Sequence, residues 1–127
     1  TMTKPDYEGV QAASTLYLDG LYHSDTNLLG QVMHRNARYV TATAEPTINM
    51  GMGEYLPIVD KRPSPASRGE PRQDRIHGID FAGPNTAIVR LGCAIAERRF
   101  TDFLSLIKED GQWRIISKVY HYDIVEE

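Results

Sequence analysis

Asp102 and His121 are the residue pair in this sequence best suited to moving a proton. An Asp-Gly dipeptide between alternating apolar runs is the strongest short-range hairpin signal. Asp110-Gly111 lies between two such runs, Phe100–Glu109 and Gln112–Tyr122. A two-residue turn there pairs Glu109 with Gln112, Lys108 with Trp113, Leu106 with Ile115, Leu104 with Ser117, Asp102 with Val119 and Phe100 with His121. Side chains alternate across a strand, so these residues share one face. The Trp113, Leu106, Ile115, Leu104 side has the larger contiguous core and is the concave one. Asp102 and His121 then sit one diagonal step apart inside an apolar hollow. Burial and mutual charge move the pKa values of such a pair toward working pH. The bland alternative is a half-exposed His121 near the chain end and an Asp102 that anchors local backbone.

The same hollow collects the candidate ligand-lining residues Tyr17, Tyr55, His77, Cys93 and Leu104. Tyr17 and Tyr55 could direct phenols inward, although each also reads as a core aromatic. His77 and Cys93 fall on the concave face of the preceding hairpin, where a core histidine and a small buried hydrophobe are the simpler readings. His34 ends a helix, where a cation complements the dipole. The histidines show no His-x-His or His-x3-His spacing, so no metal is expected, and no cofactor motif occurs.

These side chains must be positioned by a curved sheet with helices laid across its hollow side. Pro5 suits a first helical turn. Tyr7, Val10, Ala13, Tyr17 and Leu21 recur at helical spacing. Ser24 or Asp25 caps a second helix through Val32. Asn36–Thr43 reads as a strand, Thr47–Asn49 as a short extended piece and Met52–Val59 as a third helix with Pro57 near one end. Asp60–Arg72, with three prolines and four basic residues, reads as a loop. It is the expected most mobile internal segment, and Arg62, Arg68 or Arg72 could there meet an anion. Arg75–Phe81 and Ala87–Ile95 form the first long hairpin. Arg75, His77, Ile79 and Phe81 share a face with Ala87, Val89, Leu91, Cys93 and Ile95, because that register gathers the apolar side chains. A bulge near Glu97–Arg99 would break the map of the second hairpin.

The 127 residues are 41% hydrophobic and 24% charged, which fits one domain, 1–127, with a real core. Net charge is −3, with no basic cluster, so nucleic acid is not an expected partner. The single cysteine cannot form an internal disulfide. No apolar run is long enough for a membrane span, and the first residues lack the core of a signal peptide. A cytoplasmic protein with no membrane partner is the expectation.

Several segments resemble the nuclear transport factor 2-like superfamily, and within it the lumazine-binding branch near the polyketide-cyclase-like members. They are Leu16–Leu21, Met33–Tyr39, Arg62–Pro65, Gly69–Arg72 and above all Phe100–His121, in this order along the chain. The resemblance implies an α+β, cystatin-like cone: a strongly curved antiparallel sheet wrapped around three N-terminal helices, with a pocket inside and a sheet-mediated dimer outside. Relatives on this fold include isomerases, dehydratases, cyclases, epoxide hydrolases and non-catalytic scaffolds, so the fold does not fix the chemistry.

Three functions remain open. The first is binding of a small hydrophobic or aromatic molecule. The second is a cofactor-independent isomerase, dehydratase or cyclase, in which Asp102 takes a proton, His121 tunes it and a tyrosine such as Tyr17 polarises the oxygen. The third is an interaction module whose hollow is filled by its own side chains. A homodimer is expected through an outer face of Ile107, Phe103, Ile116, Tyr120 and Tyr122, extended by Ile76 and Ile88, with Lys118 at its edge.

Overall fold

A computed structural model describes residues 4–126. Helix α1 (Tyr7–His23) starts at Asp6, whose carboxylate accepts from the Gly9 amide, and ends at Ser24 in the left-handed region. Pro5 therefore precedes the cap and is not part of the first turn. Asp25 caps α2 (Thr26–Val32) by accepting from the amides of Asn27 and Leu28. The chain then passes directly into β1 (Met33–Thr41), so His34 lies in a strand. Its ring is buried, accepts from the Asn36 amide and lies 3.3 Å from Glu109. After β2 (Ile48–Gly51) comes α3 (Met52–Lys61), longer than its pattern suggests, with Pro57 inside it. Pro57 lacks the N–H that would bond the Gly53 carbonyl, and the helix continues for only four residues beyond it. The proline-rich segment contains a 3-10 turn at Ala66–Arg68. It is tied down where Tyr22 donates to the Glu70 carbonyl and Glu70 accepts from the Ala96 amide.

The remaining strands are β3 (Arg75–Phe81), β4 (Thr86–Ile95), β5 (Arg98–Glu109) and β6 (Gln112–Ile124). Sheet order is β2-β1-β6-β5-β4-β3. Every neighbouring pair is antiparallel except β1–β6, which is parallel, so the curved sheet is mixed rather than wholly antiparallel. Asp110 (φ 53°) and Gly111 (φ 76°) both take positive φ, the signature of a type I′ turn. The helices cover the concave side. Tyr17, Leu29, Val59, Leu91, Leu104, Leu106 and Ile115 are all 1% exposed or less and form the centre of the core.

Two β-bulges decide which side chains enter the hollow. Near the Asp110-Gly111 turn, the register is as the turn dictates: Lys108 faces Trp113 and Leu106 faces Ile115. Between Leu106 and Ser105 it shifts, because Ser105 pairs with Ser117 and Ile116 is left over. A one-residue slip exchanges the faces of everything beyond it. Asp102 therefore faces Tyr120, not Val119, and Phe100 faces Tyr122, not His121. The second bulge is in β3, where Ile76 pairs with Leu91 and Gly78 with Arg90, leaving His77 out of the ladder. At Glu97–Arg99, by contrast, Ile95 pairs with Arg98 across a tight turn and the register holds.

Candidate functional site

Asp102 is fully buried in the middle of β5. Its Oδ2 accepts from the Tyr17 hydroxyl at 2.5 Å and lies 3.8 Å from Lys118 Nζ. The second distance is that of an ion pair, too long for a hydrogen bond. Its Oδ1 is buried with no partner among the described residues. Lys118 reaches this position only because of the Ile116 bulge, which turns it from the outer face to the concave one.

Five aromatic rings surround the Lys118 ammonium. Its distances to the centroids are 4.7 Å for Tyr39, 4.8 Å for Tyr120, 5.4 Å for Tyr17, 5.8 Å for Phe100 and 5.9 Å for Tyr55. All lie within cation–π range. Tyr39 and Tyr55 stack at 4.3 Å, and Tyr39 meets Tyr120 at 4.8 Å. Burial pushes the Lys118 pKa down, but the Asp102 carboxylate and the Tyr55 and Tyr39 phenols more than offset this and leave it above the ordinary lysine value. The amine is therefore held as an ammonium and is a poor nucleophile at neutral pH. Burial, reinforced by the Asp102 charge, pushes the Tyr17 phenol well up. Burial also raises Tyr55, with Lys118 and Arg62 opposing it. The Cys93 thiol is pushed up to about 12, first by burial and then by Asp102. It is a neutral wall residue.

A cavity of about 10 Å³, room for roughly one water-sized group, opens beside this cluster. Tyr39, Tyr55, Arg62, Cys93, Phe100 and Lys118 line it, and Asp102 does not. Tyr55 Oη and the Nε and Nη2 atoms of Arg62 are buried and have no hydrogen-bond partner among the described residues. Surface depressions of about 450 Å³ beside Glu70 and about 510 Å³ beside Asp6 are larger, but none of the candidate residues lines them.

The candidate residues separate into two groups. Tyr17, Tyr55, Cys93, Leu104 and Asp102 face the hollow, and all but Leu104 stand around the Lys118 cluster or its cavity, with Leu104 as the cross-strand neighbour of Lys118. The two histidines do not join them. His121 is on the outer face, its side chain 60% exposed, contacting Thr43 and Asp123 at 2.9 Å. His77 is exposed and its ring lies against Gly92 on the outer side. The Asp102–His121 acid–base pair is therefore not formed. His121 lies beyond a bulge that reversed its face, and His77 is itself the bulged residue of its strand. Lys118 and Tyr120 are the site residues that the turn-derived register missed, and Tyr39, on β1, lies outside that register. The clue was a change of apolar phase: Trp113 and Ile115 occupy odd positions, Tyr120 and Tyr122 even ones, with Ile115-Ile116 adjacent at the change.

Known proteins support the fold. The described helices include none long and apolar enough to cross a membrane, and no group of three or more His, Cys, Asp or Glu among the described residues could hold a metal ion. An NTF2-like protein of unknown function from Shewanella baltica OS155 superposes with a TM-score of 0.81 at 22% identity, covering 93% of this chain and 94% of that one. A ketosteroid isomerase-like protein from Erwinia carotovora atroseptica superposes at 0.73 with 12% identity, covering 94% and 98%. Aldolase FrzH of Cladobotryum sp is 45% identical over 40 residues, which is 30% of this chain and 32% of that protein. The family described as Putative lumazine-binding matches residues 5–121. The chain belongs to that family, within the nuclear transport factor 2-like superfamily.

Proposed function

We propose that the hollow of the cone binds a small molecule, with the Lys118 cluster at its floor. One observation carries this reading: Tyr55 Oη and two Arg62 nitrogens are buried around a single cavity with no partner among the described residues. Buried polar groups are nearly always hydrogen-bonded, and leaving one unpaired costs about 1–3 kcal/mol. Three at one place mark a surface shaped for something polar to enter. A screen of small aromatic compounds by ligand-observed NMR tests the proposal. Ile95 also lines the cavity and is only partly buried. Ile95→Trp should block the hollow and abolish the binding seen with wild type. Binding that survives in a folded Ile95→Trp protein places the site elsewhere.

A second reading is an interaction module with a self-filled hollow, and the 10 Å³ volume favours it. Failure of every compound in the screen would select it. A cofactor-independent lyase or isomerase must use Asp102 without His121. Asp102 does not line the cavity and Tyr17 already donates to it, so Lys118 or Tyr17 has to move before a substrate can meet the carboxylate. The aldolase and isomerase-like relatives keep this chemistry worth assaying.

We also propose a homodimer through the outer sheet face, with its membership revised by the bulges. Phe103 (52% exposed), Val119 (48%) and Ile88 (46%) form its apolar centre. Tyr120, Tyr122 and Ile76 pack instead on or against the core.

A further inference from the structure

We infer that the group this cavity accepts is an oxyanion, a carboxylate or enolate, carried on a flat aromatic body. The inference rests on the small-molecule reading and names its ligand class. The lining carries two cationic side chains, Arg62 and Lys118, and no acidic one. Lys118 has its counter-ion in Asp102, 3.8 Å away. Arg62 has no acid within 4.0 Å among the described residues, and its Nε and Nη2 are the two atoms left unpartnered. Adjacent guanidinium N–H groups form the planar fork that matches a carboxylate.

Tyr55 supplies the third donor. The residue is 1% exposed, its Oη has no partner among the described residues, and burial keeps its phenol protonated. Guanidinium and ammonium can only donate, and the neutral phenol can donate as well, so the lining favours a ligand group that accepts. A cavity with room for about one water-sized group admits the oxygen of such a group and little more. The rest of the ligand then lies outside the cavity, against the partly exposed Phe100 ring, whose face suits a flat partner.

Three probes of similar size separate the outcomes: benzoate, its isostere benzamide, and benzylammonium, titrated at pH 7 and followed by the arginine Nε–H and tyrosine ring NMR signals. Benzoate should bind about tenfold or more tightly than benzamide, the lower end of what a charge-assisted hydrogen bond contributes. Benzylammonium should not bind in the hollow. Arg62→Gln should reduce benzoate affinity to that of benzamide, and Arg62→Lys should restore part of it. Equal binding of benzoate and benzamide to wild type overturns the oxyanion inference and leaves small-molecule binding standing. So does unchanged benzoate affinity in Arg62→Gln. Absence of binding by all three overturns the inference, and it overturns the small-molecule reading as well if the wider screen is also empty.

Discussion

At the scale of single residues, the buried charges at Asp102 and Lys118 depend on each other. Removing one member of a buried pair leaves the other uncompensated, at a cost of about 3–5 kcal/mol. Asp102→Asn keeps the shape and an acceptor for Tyr17 but strands the ammonium, so urea denaturation should show a loss of that order. Adding Lys118→Met should recover much of it, because the stranded charge is gone. A double variant as unstable as the sum of the two singles would show that the charges do not interact. Alkaline pH probes the same region. Cys93 in the fold keeps its proton to about 12, against 9.0 ordinarily, so between those values the unfolded chain binds fewer protons than the native one. Stability therefore falls as pH rises through that window and is unaffected by this group below it. Lys118 and Tyr17, both shifted upward, act in the same direction at higher pH. Cys93→Ala should delay the onset, as measured by thermal unfolding from pH 8 to 11.

At the scale of elements, close approaches and bulges set the positions of these residues. Gly20 in α1 lies so near α2 that an added Cβ would stand 2.8 Å from the Leu29 side chain. Gly20→Ala should destabilise by about 1–3 kcal/mol, although alanine is the better helix former, because the overlap outweighs the propensity gain. A melting temperature equal to or above wild type would contradict that packing. The helix periodicity and the Asp110-Gly111 turn were legible in the sequence because each is a local signal. Tyr17, Asp102, Cys93 and Leu104 are buried on the concave side, the side to which those patterns point. The bulges at Ile116 and His77 depend on how a bent strand fits its neighbours, and the one local sign of them is the change of apolar phase at Ile115-Ile116. They turned His121 and His77 outward and brought Lys118 and Tyr120 in. Arg62 reads as part of a loop, and it lies beside Tyr55 because α3 runs to Lys61 and delivers it there.

For the whole molecule, the cone has two apolar surfaces with different fates. The inner one is closed by three helices, with one small polar-lined gap. The outer one presents Ile88, Phe103 and Val119, which none of the described residues covers. A twofold dimer covering this patch should bury on the order of 1,200–2,000 Å². Light scattering at micromolar concentration should give twice the chain mass for wild type, and Phe103→Glu should shift it to the monomer. A monomeric wild type would end the dimer proposal without touching the inner site. Ligand binding in the hollow is tested most directly by backbone-amide NMR mapping of a bound aromatic carboxylate. Shifts should concentrate at Tyr55, Arg62, Cys93, Phe100 and Lys118; shifts confined to Ile88, Phe103 and Val119, or none at saturating ligand, would contradict a site there.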